Sequence, residues 1–403
     1  MVKILLFLLM LLPISSFAED SIILDDLFVR LQQHPIILNK QQSAKYYQQL
    51  SKKEKGLPDP GISLGVENVP VDNPAFNRYL PTSKTIGFSQ KIPAFSIRKY
   101  KSDIQKHLSN SEDLSSKFIF ENLKMRLLTA LINKKQAQSL IELSHKQLEL
   151  LSAKEKYLQG RLGSGGQNVY SRLSENDIDK STVEQQISNL EFSENEADLE
   201  LINLVGEVPL INKLPELTMN NWNEEDLQDI LPILAVKEKL QAAKSEVKVK
   251  KASFGPNLEI NGKYKIREAG NNFDGDNWFS AGIDLSIPLW FSSSQLPDLK
   301  AANARQSQIS ADYKTQILNW QQEINLTKQG LQTSQKNIKL LEDKQNSLSN
   351  MVAAVSRNYE AGRAAYESVL DAKIYKMRIL SDLEREKANY QKLIARFNNY
   401  TAK

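Results

Sequence analysis

The chain has 403 residues, no cysteine, and 52 basic against 48 acidic side chains. Without cysteine it can build neither a disulfide framework nor a thiolate metal site, and no N-terminal cysteine can carry a lipid. The balanced charge offers no basic stripe for nucleic acid, and 16 glycines with 14 prolines among long runs of Gln, Lys, Glu, Leu and Ser point to extended helices and coiled coil.

Lys3, an apolar run from Ile4 to Leu12, Pro13 and then Ser16-Phe17-Ala18 before Glu19-Asp20 read as a secretory signal peptide over residues 1–18, cut after Ala18. The run is shorter than the roughly 20 residues of a membrane-spanning helix, and nothing after it comes close. Export still permits insertion in an outer membrane as strands, because a strand spans the bilayer with about 10 alternating residues.

The first structural repeat covers residues 19–206. Pro35-Ile36-Ile37-Leu38 opens a polar helix that stops at Gly56-Leu57-Pro58-Asp59-Pro60. Residues 61–92 then alternate polar and apolar in two runs, Ile62 to Glu67 and Ile86 to Ile92, around a loop with Pro70 and Pro74, which predicts a β-hairpin. Pro93 ends it, Phe95 follows, and a proline-free stretch over 96–158 predicts one helix about 95 Å long at 1.5 Å per residue. Leu123, Leu127, Leu131, Leu140 and Leu143 recur along it at coiled-coil spacing. The chain turns at Gly160, Arg161, Gly163, Gly165 and Gly166 and returns as a helix over 169–205, capped by Gly206.

A linker over 207–230, with Pro209, Pro215 and Trp222, leads to a second repeat over 231–403 of the same plan. Pro232 opens a helix ending at Gly255-Pro256. Residues 257–288 form a hairpin around Gly270 to Asp276, ending at Pro288 with Trp290 close behind. A second long helix runs over 295–359 with Leu341 and Leu348 on its seam, turns at Tyr359-Glu360-Ala361-Gly362-Arg363, and returns over 366–398. The fold class is therefore mainly α with a small β part.

Four strands cannot close a barrel, and open edges are not tolerated in lipid. Several copies must share one barrel, and three give twelve strands. Between Trp278 and Trp290 twelve residues at about 3.3 Å each, tilted about 45°, rise close to 28 Å, which predicts an aromatic girdle at those two tryptophans. Alternation sends Phe279, Ala281, Ile283, Leu285 and Ile287 to lipid and Ser280, Gly282, Asp284 and Ser286 to water.

The duplicated plan, Trp278-Phe279-Ser280-Ala281-Gly282-Ile283-Asp284-Leu285-Ser286-Ile287-Pro288, and Tyr359-Glu360-Ala361-Gly362-Arg363 leading into Val369-Leu370-Asp371-Ala372 together resemble the TolC family of outer-membrane efflux proteins over the whole mature length. Leu57-Pro58-Asp59-Pro60 and Leu64-Gly65-Val66-Glu67-Asn68-Val69-Pro70-Val71-Asp72 are similar to the heavy-metal (CzcC- and CusC-like) branch. The resemblance implies a homotrimer: a twelve-stranded outer-membrane barrel in lipid, continued by an α-barrel tunnel of long helical hairpins in the periplasm. It implies a periplasmic adaptor (membrane fusion) protein and an inner-membrane pump of the resistance-nodulation-division class as partners, with heavy-metal cations, drugs or type I secreted proteins as cargo.

In that family acidic side chains three apart, just after the second turn, narrow the entrance. The matching positions are Ser368 and Asp371, with Glu367 next to Ser368, and a ring of three Asp371 carboxylates would attract cations. Gly160, Arg161, Gly163, Gly362 and Arg363 are the expected adaptor contact at the turns. No catalytic motif, cofactor motif or metal-ligand spacing stands out, and His34, His107 and His145 are scattered. The chain is expected to be a passive conduit without cofactor and no enzyme; an exported coiled-coil surface protein and a periplasmic adaptor are the rival readings, and both leave the paired strands in each half unused.

Overall fold

The computed structural model describes residues 16–162, 168–210, 214 and 216–403. Seven α-helices and four strands follow in order among the described residues: α1 (Ser16–Gln32), α2 (Pro35–Lys55), β1 (Gly61–Glu67), β2 (Ser83–Ile92), α3 (Phe95–Gly160), α4 (Val169–Val205), α5 (Leu231–Ala252), β3 (Asn257–Ile266), β4 (Trp278–Ser286), α6 (Gln295–Glu360) and α7 (Tyr366–Tyr400). A short 3-10 helix at Glu224–Asp229 lies in the linker. No described helix is long and apolar enough to cross a membrane. Residues 1–15 of the expected signal segment lie outside the described residues, and α1 runs through the expected cut after Ala18.

The compact units do not follow the two repeats. One comprises Met1–Leu38, Lys117–Ile230 and Leu318–Lys403, the other Asn39–Ser116 and Leu231–Ile317, so each draws on both halves of the chain. The boundary falls inside α3 and α6, each a 66-residue helix.

In the first unit the core is helix on helix. Leu24, Leu27 and Leu31 stand three and four apart on α1, so they share one face, and they pack with Ile37 against Leu123, Leu127, Ala130 and Leu131 of α3 and Leu201 and Leu204 of α4. Removing such side chains from water stabilises the fold by about 1.5–3 kcal/mol each. A second cluster joins Leu151 of α3, Val183 and Ile187 of α4, and Ile374 of α7. An aromatic chain, Phe118, Trp320 and Tyr400, adds edge-to-face contacts at 5.5 and 5.2 Å between ring centres.

In the other unit small residues share the core with Leu231, Ile233, Leu240 and Val247, which lets helices approach closely. Ser102, Ser111, Ala242, Ala243 and Ser245 are buried. Their neighbours are tied by hydroxyl groups donating to main-chain carbonyls of the facing helix, Ser109 to Ala44 and Ser111 to Ala235, both at 2.8 Å. Those bonds satisfy the polar cost of burying a serine.

The sheet of this unit is antiparallel throughout, in the order β1-β2-β3-β4. Within each half a hairpin joins the strands; between halves β2 pairs with β3, with Phe88 opposite Gly262 and Ile86 opposite Tyr264. Among the described residues neither β1 nor β4 has a second partner, so both outer edges are open.

Candidate functional sites

The strand register sorts the sheet into two faces, because residues directly opposite in an antiparallel pair point the same way and successive residues alternate. On one face lie Ile62, Leu64 and Val66 of β1, Ile86 and Phe88 of β2, Leu258, Ile260, Tyr264 and Ile266 of β3, and Phe279, Ala281, Ile283 and Leu285 of β4. Apart from Lys84 and Gln90 of β2 this face is apolar, and it is bare: Ile62, Leu64, Phe279 and Ile283 are each at least 70% exposed. The other face carries Ser63, Ser83, Thr85, Lys263, Lys265, Glu67, Ser280 and Asp284, with Glu67 paired to Lys263 and Lys265. Ser83 and Thr85 are buried although polar, and Gly65 stands opposite Thr85 on this face.

The two expected girdle tryptophans are placed differently. Trp290 lies beyond β4 and is highly exposed. Trp278 falls at an even position with Ser280 and Asp284, hence on the polar face, and its ring receives the guanidinium of Arg267 at 4.1 Å. Phe273 stacks on the other contact of that guanidinium at 5.7 Å. Arg267 itself is buried.

In the helical unit the structure brings the two turns together. Gly362 has φ of +68° and closes α6: its N–H bonds to the carbonyl of Tyr359 at 2.9 Å, and that of Arg363 to Asn358 at 2.8 Å. These two bonds form the glycine-ended cap that satisfies the last helical carbonyls. Tyr366, at the start of α7, then meets Tyr359 at 5.1 Å and Tyr157, near the end of α3, at 5.9 Å between ring centres. The Arg161 guanidinium lies 5.9 Å from the Tyr157 ring. Gly160, Arg161, Gly362 and Arg363 are all exposed, while Gly163, Gly165 and Gly166 lie outside the described residues.

The first turns of α7 carry the expected gate residues, and helix geometry separates them. Ser368 and Asp371, three apart, are exposed, whereas Glu367, about 100° away, is buried. Glu367 Oε2 meets Arg172 of α4 at 2.8 Å. Asp371 Oδ1 meets Lys154 of α3, also at 2.8 Å. Neither Lys154 nor Arg172 is marked by any sequence motif. They stand some two hundred positions before their partners, so only the fold reveals the pairs. Nearby, Lys180 of α4 bonds to Glu155 of α3 at 2.8 Å, and that carboxylate holds the ammonium above its ordinary pKa.

The histidines stay apart. His107 is half-buried and shares a 2.8 Å hydrogen bond with Glu238, His34 Nδ1 accepts from the Ile36 N–H at 3.4 Å, and His145 is exposed. No group of three or more His, Cys, Asp or Glu stands close enough to hold a metal ion among the described residues.

Residues 226–393 match the family model of the outer membrane efflux protein. No curated protein matches the chain. Among solved structures, a crystal structure of CusC is 15% identical and superposes with a TM-score of 0.76, covering 94% of this chain and 92% of that one. The outer membrane protein VceC of Vibrio cholerae is 16% identical, with a TM-score of 0.76 over 94% of this chain and 95% of its own. The open-state MtrE outer membrane channel of Neisseria gonorrhoeae is 14% identical, with a TM-score of 0.76 over 94% and 88%. At these identities the likeness establishes the fold.

Proposed function

We propose that the chain, whose residues 226–393 match the outer membrane efflux protein family, is the outer-membrane channel of a tripartite efflux system, a passive exit duct built from three copies. The carrying observation is the sheet: four strands, both edges open, one face exposed and apolar but for Lys84 and Gln90. Unpaired backbone at β1 and β4 is costly in lipid, about several kcal/mol for each unsatisfied group. Pairing β4 of one copy with β1 of the next removes every open edge, and three copies give a twelve-stranded barrel with the apolar face to lipid and the Ser280-Asp284 face to water.

The helical unit supports the same assembly. Ile178, Phe192 and Leu199 of α4 stand at multiples of seven and are exposed by 63–67%; Leu326 and Leu340 of α6, fourteen apart, are exposed by 53% and 50%. Such stripes are coiled-coil seams without a partner in their own chain. A neighbouring copy on each side covers them and closes a helical tunnel.

In this reading the exposed turns at Gly160-Arg161 and Gly362-Arg363 meet a periplasmic adaptor, and the force comes from an inner-membrane pump, of the resistance-nodulation-division class. The residues over 57–72 favour heavy-metal cations as cargo; drugs and type I secreted proteins are the alternatives. Ser368 and Asp371 line the entrance, and Glu367 does not, because its carboxylate is buried against Arg172.

The test combines the mass of the detergent-solubilised protein with its conductance in a planar bilayer. A trimer with stable, cation-preferring conductance is expected. A water-soluble monomer that leaves the bilayer silent overturns the duct.

A further inference from the structure

α3, α4 and α7 line a half-open cavity of about 650 Å³ within the helical unit. Its charges are unevenly matched. Arg126 is neutralised by Glu200 at 2.8 Å. Lys392 is not: among the described residues its ammonium donates only to the amide oxygens of Asn133 at 3.1 Å and Gln136 at 3.4 Å. An ammonium carries three donors, so one remains for the cavity, on a side chain that is half-buried with no carboxylate beside it.

Two further cations face the same space. Arg385 reaches Asp382 only at 3.7 Å, with both groups exposed, a pairing worth little. Arg396 lines the cavity and makes no ion pair among the described residues. Against these three stands Glu196 alone, since Glu200 is taken. Arg385, Lys392 and Arg396 are spaced by seven and four, so one face of α7 presents them together, and guanidinium groups bind acidic oxygens bidentately.

We propose that this cavity is a binding niche for a small molecule with two or more acidic oxygens, of phosphate or carboxylate type, anchored by Lys392 and clasped by Arg396 and Arg385. Asp371 lies two heptads before Arg385 on α7, so the niche opens on the same side as the acidic entrance. Its position on the bore, unlike the niche itself, rests on the duct reading. There it gives anionic cargo or an anionic blocker a resting place beyond an entrance that attracts cations.

The experiment is calorimetric titration of the detergent-purified full chain with pyrophosphate and, separately, with citrate. Saturable binding at one site per chain is expected, weakened by salt, and at least tenfold weaker in both Lys392→Met and Arg396→Gln. Arg396 is exposed, so its variant folds even where Lys392→Met does not. Binding of one probe and not the other identifies phosphate or carboxylate as the ligand group. No saturable heat with either probe, or equal affinity in Arg396→Gln, overturns the niche. In the bilayer, pyrophosphate should reduce wild-type conductance more than that of the variants. Binding without any conductance sinks the duct and leaves the niche, whereas conductance without binding sinks the niche alone.

Discussion

At the scale of single residues, the pairs at the start of α7 decide how the proposed entrance responds to charge. Lys154 is mostly buried and holds half-exposed Asp371 at 2.8 Å, so part of the carboxylate's field is already cancelled. Lys154→Met should free that field and strengthen block by divalent cations, while Asp371→Ala should weaken it; conductance titrated with a divalent salt checks both, and equal block in the two variants removes Asp371 from the entrance. Gly362 offers a cleaner stability test. A methyl group there meets nothing within 4 Å, so the cost of Gly362→Ala is the backbone's alone at positive φ, about 1 kcal/mol, read as a lowered midpoint in thermal unfolding. Lys392 sets a pH dependence. Burial lowers its pKa, and the groups facing it are Arg126, Glu196, Glu200, Arg385 and Arg396. A folded pKa below the unfolded 10.5 means that the unfolded chain binds the extra proton between the two values. The charged ammonium therefore costs stability below that window, and the cost disappears as pH rises through it. Wild type should gain stability relative to Lys392→Met on passing from neutral pH into that window, measured by denaturant midpoints at matched salt; a constant difference refutes it.

At the scale of elements, alternation and proline placement made most of the fold legible. Period-two runs at 61–92 and 257–288 mark the four strands because each strand has one apolar and one polar face, and the absence of internal proline marks α3 and the later stretch of α6. What stayed hidden has physical reasons. α1 merges in composition with the expected signal segment, and its leucine face becomes meaningful only against Leu123, Leu127 and Leu201. Trp278 reads as an interface aromatic by type, yet strand parity puts it on the polar face, where Arg267 holds it. Lys154 and Arg172 are two among 52 basic residues, and no local pattern singles them out. Two substitutions test the elements themselves. Ile283→Lys, on the apolar face, should abolish assembly in the membrane, since lysine at the midplane costs about 2–4 kcal/mol; normal detergent-stable trimers would mean that the face does not meet lipid. Leu127→Ala, fully buried where α1, α3 and α4 meet, should cost about 2–5 kcal/mol, seen as a large fall in unfolding midpoint.

At the scale of the whole molecule, the open sheet edges make the assembly testable at residue resolution, and the lack of native cysteine makes every crosslink unambiguous. In a closed barrel β4 of one copy lies against β1 of the next. Side chains directly opposite across that seam are about 4.5–5.5 Å apart at Cβ, within small adjustment of the spacing a disulfide needs. The faces are the same whatever register the seam takes. Ser63 of β1 shares the polar face with Ser280, Gly282, Asp284 and Ser286 of β4. Four double variants combine Ser63→Cys with a cysteine at each of those β4 positions. One of them should give covalent dimers and trimers under oxidation, because the four span the length of β4. Ser63→Cys with Ile283→Cys should give none in any register, since the two side chains point to opposite sides of the sheet. A ladder ending at three chains fixes twelve strands, and one running past three fixes a larger ring. Monomers throughout mean that β1 and β4 never meet, and then the apolar face needs some cover other than the lipid around a shared barrel.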